Sequence, residues 1–525
     1  LEFDRVRGIE MTNASRSTHV FMEVLKGEYR DSLFLLSLSN DISKWSGVIQ
    51  AIVVMGTPNN LRLLEQFGFL QNDTRLVSSS DLVIAVEHDA AVSKSRLLQK
   101  IDQRLKQIDH KNKNGRSFSH LSRALIERED ANLILVSVPG KFAPDMIRES
   151  LENGRNVFCF SDHVPLSDEV ILKELAISKN LLLMGPECGT SIINGKALGF
   201  ANQVESGDIG IVGASGSGIQ EVATLIDRSG GGISHAIGVG GRDMMDPVKG
   251  MMTDFAVHRL SESSRTRLIL ILAKQASKTA RTRVLKTAAK TGLPVIVNFD
   301  STDESSALRM NKISYCETYE ECAREAIKQT GRKWLLEPRI DEERKWVEAQ
   351  LARLEDGQNT IRGLFTGGSL CGEAARILAS RGHRVVTHSA KQIRHQGKEH
   401  RLIDLGAEEY TEGRAHPFID PRLRALEINR AFKDPSVGVI LIDVVLGWNC
   451  HNDPAGEVAA ALSAAKAESD RSPAVIASVC GTVKDPQDRA DQSKKLEAEG
   501  VYVAESNAAA ARVCAALETR IGGIA

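Results

Sequence analysis

Three things are scarce in this chain of 525 residues, and each scarcity excludes a class of function. Charge of one sign is missing: Lys+Arg 67 stand against Asp+Glu 68, a formal charge of −1, with no basic tail. That balance excludes the electrostatic footprint of a nucleic-acid or membrane-surface binder and leaves a small molecule as the expected ligand. Paired cysteine spacing is missing as well. The eight cysteines (159, 188, 316, 322, 371, 450, 480, 514) show no CxxC and sit mostly in apolar runs, so the chain reads as a cytosolic protein with reduced thiols rather than a disulfide scaffold. No apolar run approaches the ~18 residues needed to cross a bilayer. The first ten residues are charged and lack the apolar core of an export signal, and Met11 is a plausible true start.

What the chain does have is a repeated rhythm of short apolar runs and amphipathic stretches. The organising stretch is Asp208 to Asp227. Ile209 to Val212 reads as a buried strand, Gly213-Ala-Ser-Gly-Ser-Gly218 as a turn, and Ile219, Val222, Ala223 and Ile226 recur at helical spacing. Strand, glycine-rich turn and helix N-terminus make a cradle for an anion, most often phosphate, because open N–H groups and the positive helix end face the same point. Tight packing is the competing explanation of such a turn. A second copy, Arg362 to Leu378, carries Gly367-Gly-Ser369 at the corresponding place. Gly240-Gly-Arg-Asp243 follows another strand, where Arg242 either meets an anion or pairs with Asp243.

Alternating strands and helices that read as unbroken apolar runs predict an α/β, multi-domain chain with parallel sheets. The expected order is an N-terminal extension over 1–17, disordered; a Rossmann-like domain over 18–205; a flavodoxin-like domain over 206–332; a helical linker over 333–358; and a second flavodoxin-like domain over 359–525. Within the first domain, 32–38 reads as a strand, 111–117 as a polar loop, and Met55-Gly-Thr-Pro-Asn-Asn60 as a strand-to-helix loop at a ligand-binding sheet edge. Cys188 sits in a similar turn with no basic neighbour in sequence, which favours a packed thiol over a nucleophile. The polar stretch 402–421 holds many ligand-type groups, among them Arg414 and His416. His416, Asp420, His451 and Asp453 occupy separate loops without metal-ligand spacing, so no metal site is expected.

The succession Gly185-Pro-Glu-Cys-Gly189, Gly210-Ile-Val-Gly-Ala-Ser-Gly216 and Gly238-Val-Gly-Gly241 resembles the α subunit of succinyl-CoA synthetase and related acyl-CoA synthetases. The third part of the chain is similar to the flavodoxin-like domain that ends the β subunit of that enzyme. A resemblance that spans the chain from about Thr18 is to the FdrA family. It is carried by Val54-Met-Gly-Thr-Pro58, Met184 to Ser191, Gly213 to Glu221, His235 to Asp243, Thr366-Gly-Gly-Ser369, Ile403-Asp-Leu-Gly406 and Gly413 to Pro421.

The synthetases hold a phosphohistidine between two helix N-termini. Here both helix-opening loops are present, but no Gly-His-Ala-Gly-like segment follows Leu293 to Thr302, and the chain has no room for an ATP-grasp domain. The FdrA resemblance implies a subunit of an oxamate carbamoyltransferase of ureide (allantoin) catabolism, acting with other subunits, as a homo-oligomer, or both. Carbamoyl phosphate or phosphate would be substrate or product, with no certain cofactor. On that reading Gly213, Ala214, Ser215, Gly216, Ser217, Gly218, Gly367, Gly368 and Ser369 form the phosphate cradle. Gly240, Gly241 and Asp243 line it, and Arg242, Arg414 and His416 are candidates for catalysis or substrate binding. One alternative is a CoA-using acyltransferase or ligase subunit, with CoA near Gly56, Thr57, Pro58, Asn59 and Cys188. The other is a non-catalytic ligand-binding or assembly protein.

Overall fold

The computed structural model describes residues 5–6, 10–13, 18–28, 30, 32–69, 77–111, 118, 120–299, 312–388, 399–411 and 414–522. The chain divides into two compact units, one of residues 1–119 with 406–420, the other of 120–405 with 421–525.

The first unit is built on an antiparallel sheet. Strand Leu82–Asp89 runs between Thr18–Leu25 and Val48–Met55, antiparallel to both. Alternate residues supply two apolar faces, as the period of a strand requires. Ala51, Val53, Met55, Ile84 and Val86 face helices Ser32–Ser43 and Lys94–Lys111 through Leu35, Leu38, Ile42, Leu97 and Ile101. Ile52, Val54, Val83 and Ala85 pack with Leu64 and Phe69 on the other side. Buried Ser39 stitches helix to strand, accepting from Val53 N at 2.8 Å and donating to Leu35 O at 2.9 Å.

Three expectations are corrected here. Residues 32–38 are helical, because Leu35, Leu38 and Ile42 recur at helical spacing within a run too apolar to show its polar face. The sheet is antiparallel, so residues 18–119 do not begin a parallel Rossmann-like sheet. Residues 5–6 and 10–13 are strands paired with Thr18–Leu25, whose open edge offers backbone groups to them, in place of a disordered extension. The polar loop expected at 111–117 lies outside the described residues from 112 onward.

The second unit carries three sheets. A small parallel one joins Leu133–Val136, Asn156–Cys159 and Leu183–Met184. In a seven-stranded sheet, Ser206–Gly213 lies between Ile233–Gly238 and Leu268–Ala273, parallel to both, and Val295–Phe299 and Ile313–Tyr315 extend it in parallel. Thr190–Ile193 and Lys196–Gly199 close its other edge antiparallel. A six-stranded, wholly parallel sheet places Thr360–Phe365 between His400–Asp404 and Val437–Val445. The central parallel strands Leu268–Ala273, Thr360–Phe365 and Val437–Val445 are buried at every residue, hence on both faces.

In both large sheets the strand that ends in a Gly/Ser turn is the one whose neighbours lie on either side in space but later in sequence. That is the switch point where open α/β sheets take ligands. Helix Ile340–Leu351 lies between the strands of these sheets in sequence and packs Trp346 against Tyr502, ring centroids 5.2 Å apart. Among the described residues no helix is long and apolar enough to cross a membrane.

Candidate functional site

The two Gly/Ser turns meet. Helix Gly216–Arg228 opens at Ser215, in extended backbone, whose Oγ accepts from Gly218 N at 3.1 Å. Helix Gly368–Ser380 opens at Gly367. Ser215 Oγ donates to Ser369 Oγ at 2.6 Å, and Tyr319 Oη lies 3.4 Å from the same Ser215 oxygen. A methyl on Gly367 would sit 2.9 Å from Ser217 Cβ and 3.0 Å from Ser217 Oγ, so only glycine allows the two helix starts to touch. Ser217 is 8 % exposed, and among the described residues its hydroxyl has no hydrogen-bond partner.

Each turn is held from behind, which leaves the helix-opening amides pointing forward. Ala214 N donates to Leu272 O and Gly213 O accepts from Val239 N, so these two residues finish the strand rather than face a ligand. At the other turn Asp443, wholly buried, accepts from Thr366 N and Gly367 N, both at 2.7 Å, and from Thr366 Oγ1 at 2.9 Å. Burial pushes the Asp443 carboxyl up, against the opposing pull of Arg424 and these donors. Among the described residues, the N–H groups of Gly216, Ser217, Gly368 and Ser369 meet no acceptor, as expected at the first turn of a helix.

Asn507 fixes the spacing of the two helices. Its N–H donates to Glu221 on the first helix at 2.8 Å, and its Nδ2 donates to Glu373 at 2.7 Å and to Leu370 O at 2.9 Å on the second. Glu373 also accepts from Tyr319 N at 2.6 Å, and burial raises its carboxyl to about 7.

Two charged side chains that sequence reasoning passed over stand at the second helix start. Lys274 is the first residue after strand Leu268–Ala273, and Asp404 is the last of His400–Asp404. A methyl on Gly368 would lie 2.3 Å from Asp404 Oδ2 and 3.5 Å from Lys274 Nζ. Their position at the carboxyl ends of parallel strands was the available signal; only the fold shows that the two strands converge.

The remaining predicted residues are occupied elsewhere. Arg242 does not pair with Asp243: it meets Glu169 Oε2 at 2.9 Å and donates to Val164 O at 3.0 Å. Asp243 instead accepts from Lys173 Nζ at 2.8 Å and from the backbone of Met252 and Thr253, in a fully buried ion cluster with Glu169. Gly240, at φ 87°, packs on the Gly185-Pro186 turn, where a methyl would come within 2.2 Å of Pro186 O, and Gly241 is exposed. Cys188 is buried, and desolvation pushes its thiol up to about 11.

Arg414 and His416 belong to the first unit, as do Gly56 to Asn59. There Arg414 Nη2 donates to Asn59 O at 3.2 Å, and Asn59 Nδ2 donates to Glu409 O at 2.8 Å. His416 Nδ1 accepts from Phe418 N at 3.2 Å, and burial lowers its imidazole to about 4, so the ring is neutral near pH 7. Gly56 N donates to Asp81 O, and Thr57 caps helix Pro58–Gln66 through Asn60 N. Gly56 N and Thr57 N are both bonded internally, and the loop ends a strand of an antiparallel sheet, which is not the parallel-sheet edge expected for a CoA site at Gly56 to Asn59.

Three family models match the chain: "AllF, heavy metal-associated domain" over residues 17–120, "CoA binding domain" over 204–302 and "CoA-ligase" over 364–517. The first segment contains no cysteine, and among the described residues no three His, Cys, Asp or Glu side chains gather as a metal ion would need. The uncharacterized protein YahF of Escherichia coli is 34% identical over 495 residues, 91% of this chain and 95% of YahF. The α subunit of succinate–CoA ligase (ADP-forming) of Aquifex aeolicus is 32% identical over 155 residues, 28% of this chain and 50% of that subunit. Among solved structures, the apo dinucleotide-forming acetyl-coenzyme A synthetase 1 of Ca. Korarchaeum cryptofilum covers 75% of this chain and 84% of its own, at 15% identity and TM-score 0.28.

A relative aligned over nearly its whole length, and domains of the CoA-binding and CoA-ligase type in series behind an AllF-type domain, lead to one conclusion: the chain belongs to the YahF family, a succinate–CoA ligase α-like family.

Proposed function

We propose that this chain is a carbamoyltransferase subunit that holds phosphate, or the phosphate of an acyl phosphate, between helices Gly216–Arg228 and Gly368–Ser380. The observation that carries the reading is the 2.6 Å contact between Ser215 Oγ and Ser369 Oγ, which brings two positive helix ends to one point. Ser217 adds a buried hydroxyl without a partner among the described residues, aimed between them. Open amides, three serine hydroxyls and Tyr319 Oη are the donor set a dianion requires.

In the transfer we assign, a phosphate oxygen attacks the carbamoyl carbon of N-carbamoyl oxamate. The new C–O bond forms as the C–N bond breaks, the bond pair stays on the oxamate nitrogen, and the proton of hydrogen phosphate moves to that nitrogen. Carbamoyl phosphate and oxamate result. Fixed N–H donors serve this step because they oppose the charge carried by the phosphate oxygens without having to reorient. The AllF-type domain supports a link to allantoin breakdown. The match of 204–302 to a CoA-binding domain supports a second reading, an acyl transfer that uses CoA.

Calorimetric titration of the full chain with phosphate, carbamoyl phosphate and CoA separates the two. Binding of both phosphates that Ser215→Ala weakens and Gly368→Val abolishes is the expected result. CoA binding untouched by either variant, with no response to carbamoyl phosphate, would overturn the cradle in favour of the CoA reading.

A further inference from the structure

The Ile403-Asp-Leu-Gly406 motif has no role in the phosphate cradle as drawn so far, yet Asp404 ends its strand beside the cradle. The turn between Thr360–Phe365 and its helix is flanked by His400–Asp404, and Phe365 and Asp404 are register partners in the sheet. Asp404 thus lies level with the last strand residue before Thr366-Gly-Gly-Ser369. Lys274 reaches the same point from the neighbouring sheet. Its Nζ and Asp404 Oδ2 both lie within reach of one methyl-sized position on Gly368, and Lys274 Cε lies 3.6 Å from a methyl on Gly372 one turn on. Among the described residues Lys274 makes no hydrogen bond or ion pair. Burial pushes the Cys371 thiol well up, and of the charges near it Asp404 adds to the rise while Lys274 opposes it.

A carboxylate at the rim of an anion-binding helix start complements the helix dipole but competes with the anion for the same positive end. Asp404 therefore repels a phosphate held at these amides. A carboxylate there is useful when the ligand carries, next to its phosphate, a group that donates hydrogen bonds. The amino group of a carbamoyl phosphate is such a group: two N–H donors, one bond from the carbonyl carbon, two bonds from the phosphate ester oxygen. A methyl or methylene in the same place donates nothing. Ser217, buried, without a partner among the described residues and directed at Gly367, marks where the phosphate end lies.

We infer that Asp404 and Lys274 form the acyl-reading end of the cradle: Lys274 neutralises the anion, while Asp404 accepts from the amino group and so selects carbamoyl over acetyl and other alkyl acyl phosphates. This assignment rests on the paired-helix cradle proposed above. A hydrogen bond to a charged acceptor sets the expected preference for carbamoyl phosphate over acetyl phosphate at about 10- to 100-fold.

The test is calorimetry on the full chain with phosphate, carbamoyl phosphate and acetyl phosphate, for wild type, Ser215→Ala, Asp404→Asn, Lys274→Met and Lys274→Arg, each first shown to be folded by circular dichroism. Asp404→Asn should bring the carbamoyl and acetyl affinities to within about threefold while holding or raising phosphate affinity. Lys274→Met should weaken all three ligands about tenfold, and Lys274→Arg should restore most of that loss. Equal affinity of wild type for the two acyl phosphates, or an unchanged preference in Asp404→Asn, overturns the acyl-reading role while phosphate binding lost in Ser215→Ala leaves the cradle standing. Failure of wild type to bind any of the three overturns the cradle and this assignment together.

Discussion

Replacing Asp443 by alanine tests whether the second helix start is held from behind. The carboxylate, fully buried, accepts from Thr366 N, Thr366 Oγ1 and Gly367 N at 2.7 to 2.9 Å, and Arg424 Nη1 lies 3.4 Å from it. Arg424 is itself 2 % exposed. Alanine leaves two backbone donors unpaired, each costing about 1–3 kcal/mol. It also leaves a buried guanidinium without its counter-ion, and breaking a buried pair costs about 3–5 kcal/mol. These penalties overlap, because the Thr366 hydroxyl can turn and Arg424 still donates to the Asp443 main-chain oxygen. We therefore expect a loss of about 3–5 kcal/mol. Urea unfolding followed by far-ultraviolet circular dichroism reads the loss, and phosphate calorimetry on the same sample reads the displacement of Gly367 to Ser369. Asp443→Asn, which keeps one acceptor and the volume, should fall between wild type and Asp443→Ala. A change below about 1 kcal/mol in Asp443→Ala, with phosphate bound as in wild type, would refute the reasoning.

Three further outcomes follow from the same structure. Burial raises the Glu373 carboxyl from 4.5 to about 7. The folded chain then keeps a proton that the unfolded chain releases between pH 4.5 and 7, so Glu373's own contribution to stability is largest below pH 4.5 and falls by roughly 3 kcal/mol as pH rises through 7. Urea midpoints across that range should show the slope, and Glu373→Gln should flatten it. Lys173→Met strands Glu169 and Asp243, both fully buried and each 2.8 Å from the ammonium, and should destabilise the chain by about 3–5 kcal/mol in the same assay. In native-state thiol titration the partly exposed Cys316 should react first. Cys159 and Cys188, buried and pushed up to about 12 and about 11, should react only on unfolding.

Much of the parallel architecture was readable from pattern alone. Leu268–Ala273 and Val437–Val445 are continuous apolar runs because both faces of their sheets are covered, and the Gly/Ser turns after Gly213 and Phe365 stand out by composition. The first unit was misread for the opposite reason. Its strand centres, Ala51 to Met55 and Leu82 to Val86, are also apolar throughout, since helices cover one face and Leu64 and Phe69 the other, so no alternation separated antiparallel from parallel pairing. Ser32–Ser43 opens with the unbroken apolar run 33–36, which hides its helical stripe.

Local sequence determined that two helices would each begin at a Gly/Ser turn, since strand, glycine and helix periodicity are properties of neighbouring residues. That Ser215 and Ser369, 154 positions apart, share a hydrogen bond was decided only by tertiary structure. Asn507, from a third helix, ties Glu221 to Glu373 and so sets the spacing between the two helix starts. The charges at the site were decided the same way. In sequence Arg242 read as meeting either an anion or Asp243, but Glu169 from a distant helix takes it. Lys274, just after one strand, and Asp404, at the end of another, meet at Gly368 because two separate sheets turn their carboxyl edges to the same place. Pairing across such distances depends on how the sheets stack, and no local preference encodes it.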